Sequence, residues 1–175
     1  MLKAKGDKKF DERDILIEWD RKLNVSPEAA KITRFNQDKY NKLKKPHDKV
    51  FKLMENWLEE ADYIVGHNVL GFDIYLIFEY YKKMGKDASH LTDKVIDTYA
   101  LAKAYKLGSE KPSGASLIEF QYQLMSIRKR GLGGSLSAMG KDFEIEHDYS
   151  KLHDALVDLE LNLKVWNKLK WVLNV

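Results

Sequence analysis

Two short apolar runs, Tyr63-Ile64-Val65 and Val95-Ile96, each stop at polar residues and lead into a segment with helical spacing. Runs of this length bounded by turn-type residues read as buried strands. The first ends in Gly66-His67-Asn68, and from Asp73 onward Ile74, Ile77, Phe78 and Tyr81 recur at helical intervals. The second ends at Asp97-Thr98 and leads into a helix carrying Leu101, Ala102 and Tyr105. Strands that alternate with helices predict an α/β layer architecture.

The remaining segments are read around that centre. Residues 1–13 are polar and lack usable periodicity, so a leader is expected there, ahead of one domain over residues 14–175. Ile15-Leu16-Ile17 reads as a strand. Ser26-Pro27-Glu28-Ala29-Ala30 resembles the entry to a short helical turn. Pro46 precedes an amphipathic helix with Val50, Met54, Trp57 and Leu58 on one face. Residues 115–130 predict another helix, ending in Arg128-Lys129-Arg130 and broken by Gly131 to Gly134. Ser135 then caps a helix over residues 136–143. The last helix carries Leu156, Leu159, Leu163 and Trp166, a stripe expected to be core.

Composition narrows the chemistry. The chain has no cysteine, which excludes disulfides, thiolate zinc sites and a cysteine nucleophile together, and fits a reducing cytoplasm. No apolar run approaches the ~20 residues that span a bilayer, and the basic start has no apolar stretch behind it, so it is not a secretory signal. A net charge of +3 permits a nucleic-acid partner and decides nothing.

The polar residues at element ends are the candidates for chemistry, because sites on α/β sheets lie there. Asp73 opens a helix after the first strand, Asp97 closes the second, and His153 and Asp158 stand at the start of the final helix. An aspartate opening a helix is more often a cap or a dipole partner than a ligand. Five residues on an ideal helix turn about 500°, leaving His153 and Asp158 about 140° apart. They converge only if His153 precedes the helix and Asp158 lies within it, so the helix is expected to begin near Asp154 or Ala155.

The order of motifs resembles the DEDD 3′→5′ exonucleases, which include polymerase proofreading subunits, RNase T and oligoribonucleases. Val65-Gly66-His67-Asn68-Val69-Leu70-Gly71-Phe72-Asp73 is similar to their second motif. Ile96-Asp97-Thr98-Tyr99-Ala100-Leu101-Ala102 and Ser135-Leu136-Ser137-Ala138-Met139 look like two further family segments. His153-Asp154-Ala155-Leu156-Val157-Asp158 matches the third motif of the His-bearing branch. The resemblance implies a ribonuclease H-like exonuclease fold with a mixed sheet flanked by helices. It implies Asp73 and Asp158 as carboxylate ligands for two Mg²⁺ or Mn²⁺ ions, with His153 as general base. Asn68, with His67 beside it, would contact the terminal nucleotide, Phe72 would pack in the core, and Asp97 would be structural. The implied partner is single-stranded DNA or RNA, with a polymerase, a second copy or a separate N-terminal piece alongside.

One part of the pattern is absent. The family's first motif, Asp-x-Glu, does not occur before Asp73, and the nearest candidates, Glu12-Arg13-Asp14 and Glu18-Trp19-Asp20, are reversed. The stretch from Leu16-Ile17-Glu18-Trp19 through Thr33 resembles the family's third strand and the segment after it, which would place the first two strands upstream of Met1. Two expectations arise: a truncated or split exonuclease whose sheet lacks its first strands, or a non-catalytic nucleic-acid-binding or scaffolding module that kept the fold. A third has Glu18 and Asp20 standing in for the missing pair. Of the basic clusters, Lys42, Lys44 and Lys45 read as solvated surface. Arg128, Lys129 and Arg130, beside the glycine-rich turn, are the better candidates for phosphate contact.

Overall fold

The computed structural model describes residues 1–20, 22–129, 131–132 and 134–175. Its centre is a parallel pair of three-residue strands, β3 (Ile64–Gly66) and β4 (Val95–Asp97), with Ile64 opposite Val95 and Gly66 opposite Asp97. Successive strand side chains point to opposite faces. Ile64 and Val95 accordingly join Val69, Leu70 and Ile74 on one side, while Val65 and Ile96 join the larger cluster of Leu101, Leu124, Met139, Leu161 and Val165 on the other. Burial on both faces explains why these strands read as continuous apolar runs without alternation.

The helices that cover those faces begin where the sequence signals them. Ser26 caps α1 (Pro27–Thr33) and Asn36 caps α2 (Gln37–Leu43), an element the sequence reading did not anticipate. The helix after Pro46 is α3 (His47–Glu60), with Val50 and Phe51 buried. Phe51 meets Tyr80 and Tyr81 of α4 (Asp73–Lys83) edge-on. Asp97 caps α5 (Thr98–Leu107), and Ser135 caps α7 (Leu136–Asp142) as expected. Asp154 caps α8 (Ala155–Leu173), which begins where the spacing of His153 and Asp158 requires.

Four expectations are corrected. Residues 1–13 form no leader but an antiparallel hairpin, β1 (Leu2–Lys5) and β2 (Lys8–Glu12). It turns at Gly6, whose φ of 62° costs glycine nothing. The hairpin hides from a hydrophobicity reading because lysines anchor it: Lys3 pairs with Glu60 over the Trp57 ring, and Lys9 pairs with Glu160 of α8. Ile15-Leu16-Ile17 is not a strand. One parallel bridge joins Ile17 to Lys45, and Pro46, with no N–H to donate, ends the ladder after it.

The helix expected over 115–130 is α6 (Leu117–Ser126), opened by a capping box between Ser116 and Glu119. Arg128 and Lys129 lie beyond it, while Arg130 and Gly133 lie outside the described residues. On α8 the fully buried row is Leu161, Val165 and Leu169. Leu156, Leu159, Leu163 and Trp166 occupy the adjoining, partly covered side. Among the described residues no helix is long and apolar enough to cross a membrane.

Candidate functional site

The loop after β3 is held by a single buried carboxylate. Asp97, without exposed surface, accepts hydrogen bonds from the backbone N–H groups of Asn68 and Leu70 at 2.9 Å each, and of Tyr99 at 2.9 Å and Ala100 at 3.3 Å. It thereby ties the second-motif loop to the start of α5. Gln121, also buried, closes the other side: its Oε1 accepts from the Asp97 N–H and its Nε2 donates to the Val95 carbonyl at 2.9 Å. This is the structural role that the sequence resemblance implied for Asp97.

His67 is occupied within the fold. Its Nε2 lies 3.1 Å from the Gly134 carbonyl and its Nδ1 3.0 Å from the Thr98 hydroxyl. A carbonyl can only accept, so Nε2 carries the hydrogen. Burial pushes the ring's pKa below its ordinary value, against the Asp97 carboxylate and the Gly134 hydrogen bond. The ring is therefore neutral, and both nitrogens lie against groups of the fold. Asn68 stands in the left-handed region at φ 65°. Its side chain folds back so far that a Cβ on Gly71 would lie 2.5 Å from its Oδ1. Phe72, expected in the core, is 59% exposed; it sits between the 3-10 turn Val69–Gly71 and α4 with φ −145°, which turns it outward.

Asp73 opens α4 and is exposed. Loss of water on its packed side raises its pKa, its own backbone N–H opposes this, and the nearby Asp97 carboxylate adds to the rise. His153 precedes α8 in the left-handed region at φ 73°, and its backbone N–H donates to Asp158 Oδ1 at 3.2 Å. One turn further along the same side of α8, buried Asn162 meets Thr98 Oγ1 at 2.6 Å, and that hydroxyl lies 3.2 Å from the Gly66 carbonyl. This contact fastens α8 at Asn162, one turn (roughly 6 Å) along the helix from Asp158, to the start of α5.

Glu18 and Asp20 are not part of this arrangement. Glu18 pairs with Lys44 at 2.7 Å. Asp20 pairs with Lys83 and lies 3.6 Å from His47. Lys83 stands at the far end of the helix that Asp73 begins. Among the described residues, neither acid joins Asp73 or Asp158 in a metal-holding group of three.

A family model described as Exonuclease (RNase_T) matches residues 3–166. The chain belongs to this exonuclease family. Searches of curated proteins and of solved structures find no match. Membership makes this a nuclease domain with a ribonuclease H-like α/β fold, and members of the family typically work with divalent metals. The side chains of this exonuclease domain do not fit such a site as they stand. Among the described residues, no group of three or more His, Asp or Glu is gathered closely enough to hold a metal ion. Asp73, His153 and Asp158 are thus all present at element ends, and only His153 and Asp158 are seen in contact.

Proposed function

We propose that this exonuclease domain engages the 3′ end of single-stranded DNA or RNA, and that its hydrolytic centre requires two carboxylates beyond Asp73 and Asp158. The observation that carries the reading is the junction before α8. His153 enters the helix through a left-handed turn, its N–H rests on Asp158, and Asn162 one turn on meets Thr98. A structural helix start needs a cap, which Asp154 already supplies. The extra contact holds the Asp158 carboxylate against the turn that carries His153.

The chemistry supported is 3′→5′ phosphodiester hydrolysis with Mg²⁺ or Mn²⁺, His153 being the candidate base for the attacking water. The acids gathered among the described residues do not fit the metal pair. Two carboxylates facing two divalent cations leave half the metal charge uncompensated. The test is digestion of 5′-labelled single-stranded DNA and RNA with either metal, with Asp158→Ala as control. The chain alone is expected to bind these strands and leave their length unchanged. Stepwise 3′ shortening that disappears in Asp158→Ala would overturn the requirement for further carboxylates.

A further inference from the structure

A cleft of about 500 Å³ opens between the start of α5 and the chain leaving α6, with Tyr99, Lys103, Met125, Ile127, Arg128 and Lys129 among its walls. Among the described residues no acidic side chain lines it. Lys103 is not its ligand-binding group. The ammonium already donates to the carbonyls of Leu124 at 3.1 Å, Met125 at 3.3 Å and Ile127 at 3.2 Å, closing the end of α6. It also stands 5.0 Å from the centre of the Tyr99 ring. Its charge remains. Burial depresses the Lys103 pKa, the Arg128 guanidinium adds to the depression, and the Asp97 carboxylate opposes both. Arg128 and Lys129 are exposed at the mouth. Three cations therefore bear on one cleft that also offers a ring face and the apolar side chains of Met125 and Ile127.

Two of the cleft's walls touch the second-motif loop. The Met125 methyl lies 3.2 Å from where a Cβ on Gly71 would stand, two residues before Asp73. The Tyr99 ring meets His67 edge-on at 5.6 Å. Cations alone would suit any anion. Cations set around an aromatic and apolar floor suit a phosphate that carries a base, and base–aromatic stacking is how single strands are bound without regard to sequence.

We propose that this cleft seats one nucleotide of the bound single strand, its phosphate on Arg128 and Lys129 and its base against Tyr99. The assignment rests on the reading of the domain as a binder of single strands, and the experiment separates the two. Anisotropy of a 5′-fluorescein-labelled oligothymidylate is titrated in EDTA over a range of salt, so that hydrolysis plays no part. Arg128→Ala/Lys129→Ala is expected to weaken binding about tenfold and to flatten the log–log salt slope by about 1.4, two phosphate contacts' worth on a single strand. Tyr99→Leu should weaken it roughly fivefold with the slope unchanged.

Lys39→Ala/Lys42→Ala removes the same charge from exposed positions on α2 and should stay within about twofold of the parent. Equal losses in the two charge variants, or none in the cleft variant, would overturn the cleft while leaving single-strand binding in place. Absence of binding by the parent chain would overturn both.

Discussion

Burying a carboxylate costs several kcal/mol unless its oxygens are filled, and at Asp97 four backbone N–H groups fill them. Asp97→Asn keeps the shape but replaces one acceptor with an NH₂ group facing donors. The exchange is expected to cost about 3 kcal/mol, read from urea unfolding. A loss under about 1 kcal/mol would mean the loop is held by other contacts. His67 makes a second prediction at this scale. Its pKa is lowered in the fold, so below the ordinary value of ~6.5 the unfolded chain takes up a proton that the native one refuses. Stability should fall as pH drops below about 6.5 and level off beneath the native pKa. The drop between pH 8 and pH 5.5 should be smaller in His67→Asn, and an identical drop would refute the assignment. Position in the sequence marked both residues as element-end polar groups. It did not reveal that His67 faces inward, because its partners at Thr98 and Gly134 are 31 and 67 residues away.

At the scale of elements, helix starts were the most legible feature: Ser26 and Ser135 announce two of them through local caps, and the spacing of His153 and Asp158 placed the third at Asp154. Strands were less so. The β1–β2 hairpin is held by lysines reaching Trp57, Glu60 and Glu160, and nothing in residues 1–13 alone shows those partners. The buried row of α8 was misplaced for a related reason. Apolar residues occupy more than half its circumference, and which row faces inward depends on α5 and α7. The contact with α7 can be tested at Gly140. A Cβ there would lie 2.6 Å from Tyr149 Oη and 2.9 Å from Leu161 Cδ1. Neither neighbour retreats freely: the Tyr149 hydroxyl donates to the Ile145 carbonyl at 2.9 Å, and Leu161 is fully buried. Gly140→Ala should therefore destabilise by roughly 2 kcal/mol despite alanine's better helix propensity. The melting temperature should fall by about 4–8 °C. An unchanged or higher melting point would show that α7 can shift away from α8 at no cost.

The whole molecule brings together pieces of a nuclease without gathering their charges. Asp73 stands where one helix leaves the sheet and Asp158 where another returns to it. The remaining acids considered from the sequence, Glu18 and Asp20, are already neutralised by Lys44 and Lys83. A ligand that binds the native state at a hundred times its dissociation constant adds ~2.7 kcal/mol, which would raise the melting temperature of a chain this size by roughly 5–10 °C. Without a gathered donor set, about 10 mM Mn²⁺ should shift it by less than about 1 °C, in the parent and in Asp158→Asn alike. A rise of several degrees that vanishes in Asp158→Asn would mean that Asp73 and Asp158 close on the metal when it is offered. A rise that survives in that variant would point to binding elsewhere. The flat response is expected because the two carboxylates hang on separate helices, and no third acid among the described residues completes a metal-holding group with them. Drawing them together without added negative charge would confine two cations between them, and that repulsion opposes the closure a metal would have to drive.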